Sequence, residues 1–445
     1  MSQDPQNEEQ SENSNSAFNL FDRWAETPLE ERLMFFRALV PREASDLFFG
    51  MSTHDQAFLI EFLSTSEKRI WLRALAPDDT ADVLQSMPAD MRWSLIDLLD
   101  DSARFEVAGL LAYEEDEAGG LMNPRFPRIR PDATVREAIS YLRKQGVNLE
   151  TLYYCYVLDQ NQMLLGVISF RELIVAKESD TVRSRMRSDV VSVNEKMNQV
   201  LVARLMADHD LLAVPVVDEN GRMKGIVTHD DIVDVVEEEA TEDIHKIGGT
   251  EALDIPYMDT PLLSLVKKRA GWLAVLFVGE MLTASAMSHY EHEIARAVIL
   301  AQFIPLIISS GGNTGSQAST LVIRALALGE IRGRDWLRVF KREVVSGLIL
   351  GAILASIGVI RIIVWQKMFG VYGDHYLPLA FTVAFSVLGV VLWGTLAGSM
   401  LPLILNKCKL DPASASAPFV ATLVDVSGLV IYFTLAKLIL SGTML

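Results

Sequence analysis

The chain has 445 residues, half of them hydrophobic and 22% charged, which allows two to four domains and suits a soluble part joined to a membrane part. Residues 1–266 carry 49 acids against 25 bases, net −24, and residues 267–445 carry 9 against 15, net +6. So acidic a soluble part disfavours nucleic acid as a partner and favours cations, while two cysteines, Cys155 and Cys408, supply neither a disulfide framework nor a thiolate metal site.

In chain order, residues 1–16 are polar and acidic, without the basic and apolar regions of a signal peptide. Residues 1–28 read as a disordered tail, and the soluble part is expected in the cytosol. Residues 29–118 read as a helical acidic N-domain. Apolar residues fall at helical spacing (Leu33, Phe36, Leu39; Leu95, Ile96, Leu98, Leu99), and breaks recur at Pro41, Ser52, Ser64, Pro77, Pro88 and Asp100. Each break supplies a cap or a first-turn acid, so a stack of short helices in a small superhelix is expected.

After a linker at 114–124 the pattern changes to α/β. A helix over 135–143, a strand at 153–158, a turn and a strand at 164–169 are repeated about 60 residues on: helix 197–206, strand 213–217, turn Asp218-Glu-Asn-Gly221, strand 224–228. The two copies define modules at 119–180 and 181–250. The stretch from Leu212 to Asp231 resembles the core of a CBS domain, and Leu164 to Glu172 is a looser copy. That resemblance implies an adenosine nucleotide such as ATP, contacted by Thr228 and Asp231 in the second copy. The first copy has Ser169 but Glu172 where the motif has Asp, and a CBS pair without nucleotide is the competing reading.

On the helix that follows, Asp230, Asp234, Glu237 and Glu238 share a face. They are either a solvated acidic face or a divalent-cation sensor; hard oxygen ligands fit Mg²⁺ or Ca²⁺ rather than zinc. Residues 251–269 read as a connector. Its amphipathic helix begins at Asp259-Thr-Pro, ends in Lys267-Lys-Arg269, and would lie along the inner membrane face.

Five apolar spans are expected in a pore domain at 270–445: about 270–287, 294–328, 344–365, 377–405 and 413–440. The second, roughly 50 Å if continuous, must tilt or break near Pro305 or the Ser309–Ser316 run. Basic residues at 267–269, 332–342 and 407–409 mark the inner side, which leaves the C-terminus outside. The outer loop residues His289, Glu291, His292 and Glu293 are either a weak metal site or a hydrated loop.

Two acids lie at membrane depth, Glu280 and Asp425. An intramembrane carboxylate costs at least ~2.5 kcal/mol on insertion scales, so it faces a bundle interior or a water-filled path. Asp425 is either a cation site or an interhelical hydrogen-bonding group; Glu280 either attracts ions or binds a neighbouring helix. Gly311-Gly-Asn-Thr-Gly315 is either a packing seam or a polar lining.

The whole order, with Gly311–Gly315, Ala421-Thr-Leu-Val-Asp-Val-Ser-Gly428 and Glu239-Ala-Thr-Glu-Asp-Ile-His-Lys246 as its most specific pieces, resembles the MgtE family of magnesium channels. The resemblance implies a homodimer in the membrane lipid with its pore on the two-fold axis. It also implies hydrated Mg²⁺ bound by Asp425 and the Ala421 carbonyl, with Asn313 along the path. Cytosolic Mg²⁺, bound between acidic domains, would close the pore, and Asp230, Asp234, Glu238, Glu242 and Asp243 are the candidate sensor ligands. Co²⁺ and Mn²⁺ stay open as further cations. Rival readings are a CBS-regulated secondary transporter with Asp425 as protonation site, and a membrane-anchored nucleotide receptor. An enzyme is not expected, because no nucleophile–base set or phosphate loop occurs.

Overall fold

The computed structural model describes residues 20–253 and 255–441; residues 1–19 of the expected tail lie outside them, and residues 20–26, read as tail in the sequence, are helical because Leu20 and Trp24 are buried in the core. Contacts divide the chain into two units, residues 1–239 and 240–445.

The first unit begins with short helices that start where the sequence breaks. They are α1 (Leu29–Ala38), α2 (Pro41–Gly50), α3 (Thr53–Phe62), α4 (Thr65–Ala74), α5 (Pro77–Gln85), α6 (Ala89–Ile96) and α7 (Asp101–Leu110). Their start signals are physical. The Ser52 and Asp100 side chains accept from Asp55 N–H and Ala103 N–H, Ser64 and Glu67 form a capping box, and Pro41 and Pro77 open α2 and α5. Helices of ten residues do not stand alone in water. The stack holds them by burying Leu47, Phe48, Leu59, Ile60, Val83 and Leu84, and the same core continues into Val202, Met206, Val214 and Val227 of the second α/β module.

Each module is a three-stranded sheet. In the first, β1 (Arg128–Ile129) runs parallel to β2 (Tyr154–Leu158), which pairs antiparallel with β3 (Leu164–Ser169); in the second, β4 (Val193–Asn194), β5 (Ala213–Val217) and β6 (Met223–Thr228) repeat that order. The hairpins match the expected strands. The two-residue β1 and β4 are too short to show an alternation in sequence. The helices α9 (Val135–Gln145) and α12 (Gln199–Asp208) cover the sheets, with α8 (Ala118–Leu121), α10 (Phe170–Val175) and α11 (Val182–Arg185) as short pieces. The acidic linker is pinned: Ala118 N–H donates to Met197 O at 2.7 Å, and Asn123 and Ile226 exchange backbone hydrogen bonds at 2.7 and 3.0 Å. Gly225 permits this, since a Cβ there would meet Asn123 O at 2.8 Å. Helix α13 (His229–Ile247) follows β6 directly.

Among the described residues of the second unit five segments are long and apolar enough to cross a membrane: Leu262–His289, Val298–Ala327, Gly333–Phe369, Gly373–Lys407 and Ala417–Leu440. The basic turns of the connector and the first span form one continuous helix, α14 (Leu262–His289), none of whose residues is buried. The long second stretch breaks rather than tilts as one rod. After α15 (Glu291–Arg296) comes a 3₁₀ segment, Val298–Phe303, and then α16 (Ile304–Ala327) with Pro305 in its first turn. Pro lacks the N–H that the helix interior needs, so it sits where none is missed. Helices α17 (Trp336–Phe369), α18 (Tyr376–Lys407) and α19 (Ala417–Leu440) complete the unit.

Helix α18 packs against α16, α17 and α19. Gly311-Gly-Asn-Thr-Gly315 is helical throughout, and its first and last glycines make a seam. A Cβ on Gly394 would overlap Gly311 O, and one on Gly398 would overlap Gly315 O. Two small-xxx-small pairs thus face each other and bring the backbones of α16 and α18 into contact. Ser316 and Ser319 hydroxyls donate to the Ala417 and Ala415 carbonyls at 2.9 and 2.7 Å, tying α16 to the start of α19.

Candidate ion path, acidic cluster and cytosolic cavity

Helix α19 is capped by Ser416, whose hydroxyl accepts from Phe419 N–H, and Pro418 occupies its first turn. Its face toward α16 and α18 buries Val420, Val424 and Gly428. Asp425 therefore falls beside that seam and is half-buried. The structure brings it to Ala421 and α16: a Cβ on Gly312 would lie 3.6 Å from Asp425 Oδ1 and 3.5 Å from the Ala421 Cβ. Gly312 thus keeps open the space beside the carboxylate. Asn313 is exposed, with its amide 3.4 Å from Ser309 Oγ. Glu280 of α14 faces Asp425 within hydrogen-bonding reach.

At the other end of α16 the residues after Glu239 pack onto the same helices. Ile247 joins Ile323, Ala413 and Ala415 in a small apolar cluster. Lys246 reaches Asp411 at 2.7 Å and also pairs with Glu242. Trp272 donates to Ser416 Oγ at 3.1 Å, and Gly249 fits against Trp272 and Pro418. Glu242 is thereby engaged by a lysine, and Glu242 and Asp243 belong to the second unit rather than to the acidic cluster of the first.

That cluster joins α5 to the start of α13. Asp78 is buried, and its carboxyl stands well above the ordinary range because of burial and then Asp231. Asp82 is pushed up to about 8 by burial, then by Asp79, Asp231, Glu115 and Glu238. Burial pushes Asp231 up to about 7 although both the N–H and the hydroxyl of Thr228 donate to it, at 3.1 and 2.6 Å; Asp230 and Asp79 add to the rise. Asp79 is raised too, by its low-dielectric surroundings and by Asp230 and Asp234. The Asn123 amide ties Asp78 to Glu150 at 3.0 and 2.7 Å. Asp230 and Asp234 act on Asp79, and Glu238 acts on Asp82. Asp78, Asp79, Asp82 and Glu150 are its other half, missed in the sequence, where Pro77-Asp-Asp reads as a helix start. The signal was there: Asp78 and Asp82 are an i, i+4 pair of like charges. Among the described residues, no three His, Cys, Asp or Glu side chains converge to hold a bare metal ion.

Thr228 and Asp231 do not line the cavity of about 830 Å³ that lies in the first unit. It opens beside Ser169 and Glu172 of the first module and is lined by Tyr154, Lys177, Arg185 and Arg187, with Ala213 and Pro215 from the second. Glu172 is held by Ser169 and by Arg187 at 2.7 Å; burial pulls its carboxyl up, but these partners outweigh burial and leave it lowered.

A helical stack, a CBS pair and five membrane-length helices, one with an acid on its packed side, define a membrane transport protein with a regulatory cytosolic part. Comparison with known proteins agrees. The family described as "Divalent cation transporter" (MgtE) matches residues 304–435, the MgtE intracellular N domain matches 17–116, and CBS domains match 118–179 and 182–238. The magnesium transporter MgtE of Thermus thermophilus is 41% identical over 428 residues, covering 95% of this chain and 93% of the relative. That of Bacillus subtilis is 32% identical over 92% of this chain and 89% of its own. A solved cytosolic domain of the Mg²⁺ channel MgtE in complex with ATP is 41% identical, covering 49% of this chain and 90% of its own, with TM-score 0.47. The chain belongs to the MgtE family of magnesium transporters, whose members are named as transporters and not as enzymes.

The acidic cluster has a measurable consequence. Carboxyls raised from about 3.8 to about 7 and 8 hold their protons longer in the folded state than in the unfolded one. Their contribution to stability is complete below the unfolded value and is lost as pH rises through the folded values. In chelator, the cytosolic unfolding transition of the full-length protein should move to lower temperature between pH 6 and 9. Asp82→Asn should flatten that dependence and stabilise the protein at pH 8.5. A transition that does not move with pH, or that moves equally in the variant, would contradict the cluster as described.

Proposed function

We propose that the chain is a Mg²⁺ channel of the cell membrane, a homodimer in which Asp425 from two copies holds the hydrated ion on the two-fold axis. The position of Asp425 carries this reading: a half-buried carboxylate on a membrane-length helix, beside space that Gly312 keeps open and the Ala421 backbone borders. Mg²⁺ gives up its waters reluctantly and binds by one or two carboxylates while keeping several of them. Two-fold symmetry turns one carboxylate per chain into a facing pair. Asn313 is exposed and no residue of α14 is buried in the single chain, which suits a polar lining and an interface completed by a second copy. The cytosolic part lies inside and the C-terminus outside, following the basic loops.

Cytosolic Mg²⁺ closes this channel. The acids of α5 and α13 repel each other while no cation lies among them, and hydrated Mg²⁺ can bridge them through its waters without three converging ligands. An ion that binds only the packed state shifts the population toward it, and about 5.5 kcal/mol of differential binding takes a gate from 1:99 to 99:1. Several weak sites supply that together. The gate is the segment from Ala240 to Leu253, whose Lys246 and Ile247 dock at the inner ends of α16 and α19. Coupling therefore begins within α13, ahead of the connector at 251–269.

The cytosolic cavity takes an adenosine nucleotide. Lys177, Arg185 and Arg187 suit phosphates and Tyr154 an aromatic base. Asp231 instead faces other carboxylates, which disfavours a polyanion at Thr228 and Asp231.

Asp425→Asn should cut Mg²⁺ flux into proteoliposomes at least tenfold while the protein stays a folded dimer; wild-type flux would leave Asp425 as an interhelical hydrogen-bonding group. Flux that dissipates a proton gradient would favour the secondary transporter instead. Neutralising Asp79, Asp230 and Asp234 together should leave patch currents open at internal Mg²⁺ that shuts the wild type. If shut-off occurs over the same range, the sensor lies elsewhere. By calorimetry, Arg185→Ala should weaken ATP binding about tenfold and Asp231→Ala should not; the reverse pattern would move the nucleotide to the second module.

A further inference from the structure

We infer that Glu280 of α14 sets the preference for divalent over monovalent cations at Asp425, acting as a second carboxylate beside it in each chain. The inference rests on the reading of Asp425 as the ion-holding residue.

Three observations on this chain lead there. First, α14 is held alongside α19 at both ends. Trp272 donates to Ser416 near the start of α19, and Tyr290 stacks on Phe433 with ring centroids 4.9 Å apart. Second, between these points the helices approach at one glycine: a Cβ on Gly279 would stand 2.5 Å from the Thr422 Cγ2. Thr422 is one turn before Asp425, so the same contact that needs glycine delivers the next residue, Glu280, to the Asp425 carboxylate. Third, among the described residues Glu280 is the charged group that acts on Asp425. No lysine or arginine answers the two acids. Arg361, a base within α17, lies over the rings of Phe303 and Trp365 instead.

Two acids at this distance either share one proton, which leaves a single negative charge, or are both ionised and repel until a cation lies beside them. The pair therefore stands as an incomplete arrangement that a positive charge completes. A monovalent ion balances one of the two carboxylates and a hydrated divalent ion balances both. Glu280 is exposed in the single chain, while Asp425 is half-buried beside Gly312 of α16. Because α14 has no buried residue and its approach to α19 is set by Gly279, the distance between the carboxylates is open to adjustment by small substitutions.

The test uses the full-length protein in liposomes, with Mg²⁺ and Na⁺ fluxes measured side by side for Glu280→Gln, Glu280→Asp, Gly279→Ala and Asp425→Asn. Glu280→Gln should raise the half-saturating Mg²⁺ concentration about tenfold and reduce the Mg²⁺-over-Na⁺ flux ratio by a similar factor. Glu280→Asp should retain most of the preference. Gly279→Ala, with both charges intact but the helices pushed apart, should fall between. If Asp425→Asn abolishes Mg²⁺ flux while Glu280→Gln matches wild type in both quantities, this inference fails and the Asp425 reading stands. A loss in Glu280→Asp as large as in Glu280→Gln would mark a packing role and overturn it as well. Wild-type flux in Asp425→Asn would remove the reading on which the inference rests.

Discussion

Carboxylates crowded against one another are the constraint around which both units are organised. In water such groups separate; here the fold holds them in place. In the first unit, capped short helices present Asp78, Asp79 and Asp82 to the acids of α13, and burial together with mutual repulsion lifts several of them far above the ordinary carboxylate range. In the second, Glu280 and Asp425 face each other on neighbouring helices. Like charges held together cost free energy. In the proposed channel the ion that relieves that cost is the ion conducted and sensed.

What holds the carboxylates in place is packing that leaves no freedom to relax. Gly311 and Gly315 meet Gly394 and Gly398 backbone to backbone, and at this separation a methyl group on either Gly394 or Gly398 would overlap the facing carbonyl. Helix α18 serves as the central post, lined by Val383, Val387, Val390 and Val391. The buried Tyr432 hydroxyl donates to Leu300 O at 2.9 Å and fixes α19 to the 3₁₀ segment before α16. Asp425 inherits its position from these contacts, and Glu280 reaches it from α14. In the first unit Asn123 has the comparable role, joined by backbone bonds to Ile226 and by its amide to Asp78 and Glu150.

Helix α13 shows how one element serves two chemistries. Its first turns carry Asp230, Asp231 and Asp234 beside α5; its last carries Lys246 and Ile247, which contact Asp411 and the end of α16. In the proposed gate, acids that an ion brings together and a lysine that docks on the inner end of the path occupy the same helix. The cytosolic cavity is separate from that line of residues, and its basic lining has the opposite charge preference.

By itself the sequence determined the order of parts. The breaks at Ser52, Ser64, Pro77 and Asp100, the repeated hairpins, and five apolar stretches were legible because caps, alternation and length are local properties. The two intramembrane acids and the acidic face of α13 were legible as well, since a charge in an apolar run or at helical spacing stands out without any partner in view. Only the tertiary structure decided what those groups face. Whether the glycines of Gly311–Gly315 line water or meet another backbone depends on Gly394 and Gly398, some 80 residues away. That Pro77-Asp-Asp is half of an acidic cluster depends on α13, about 150 residues further on. Glu280 gained a partner in the same way. Propensity and periodicity describe a residue's neighbours in the chain, whereas charge, burial and close backbone approach are set by its neighbours in space.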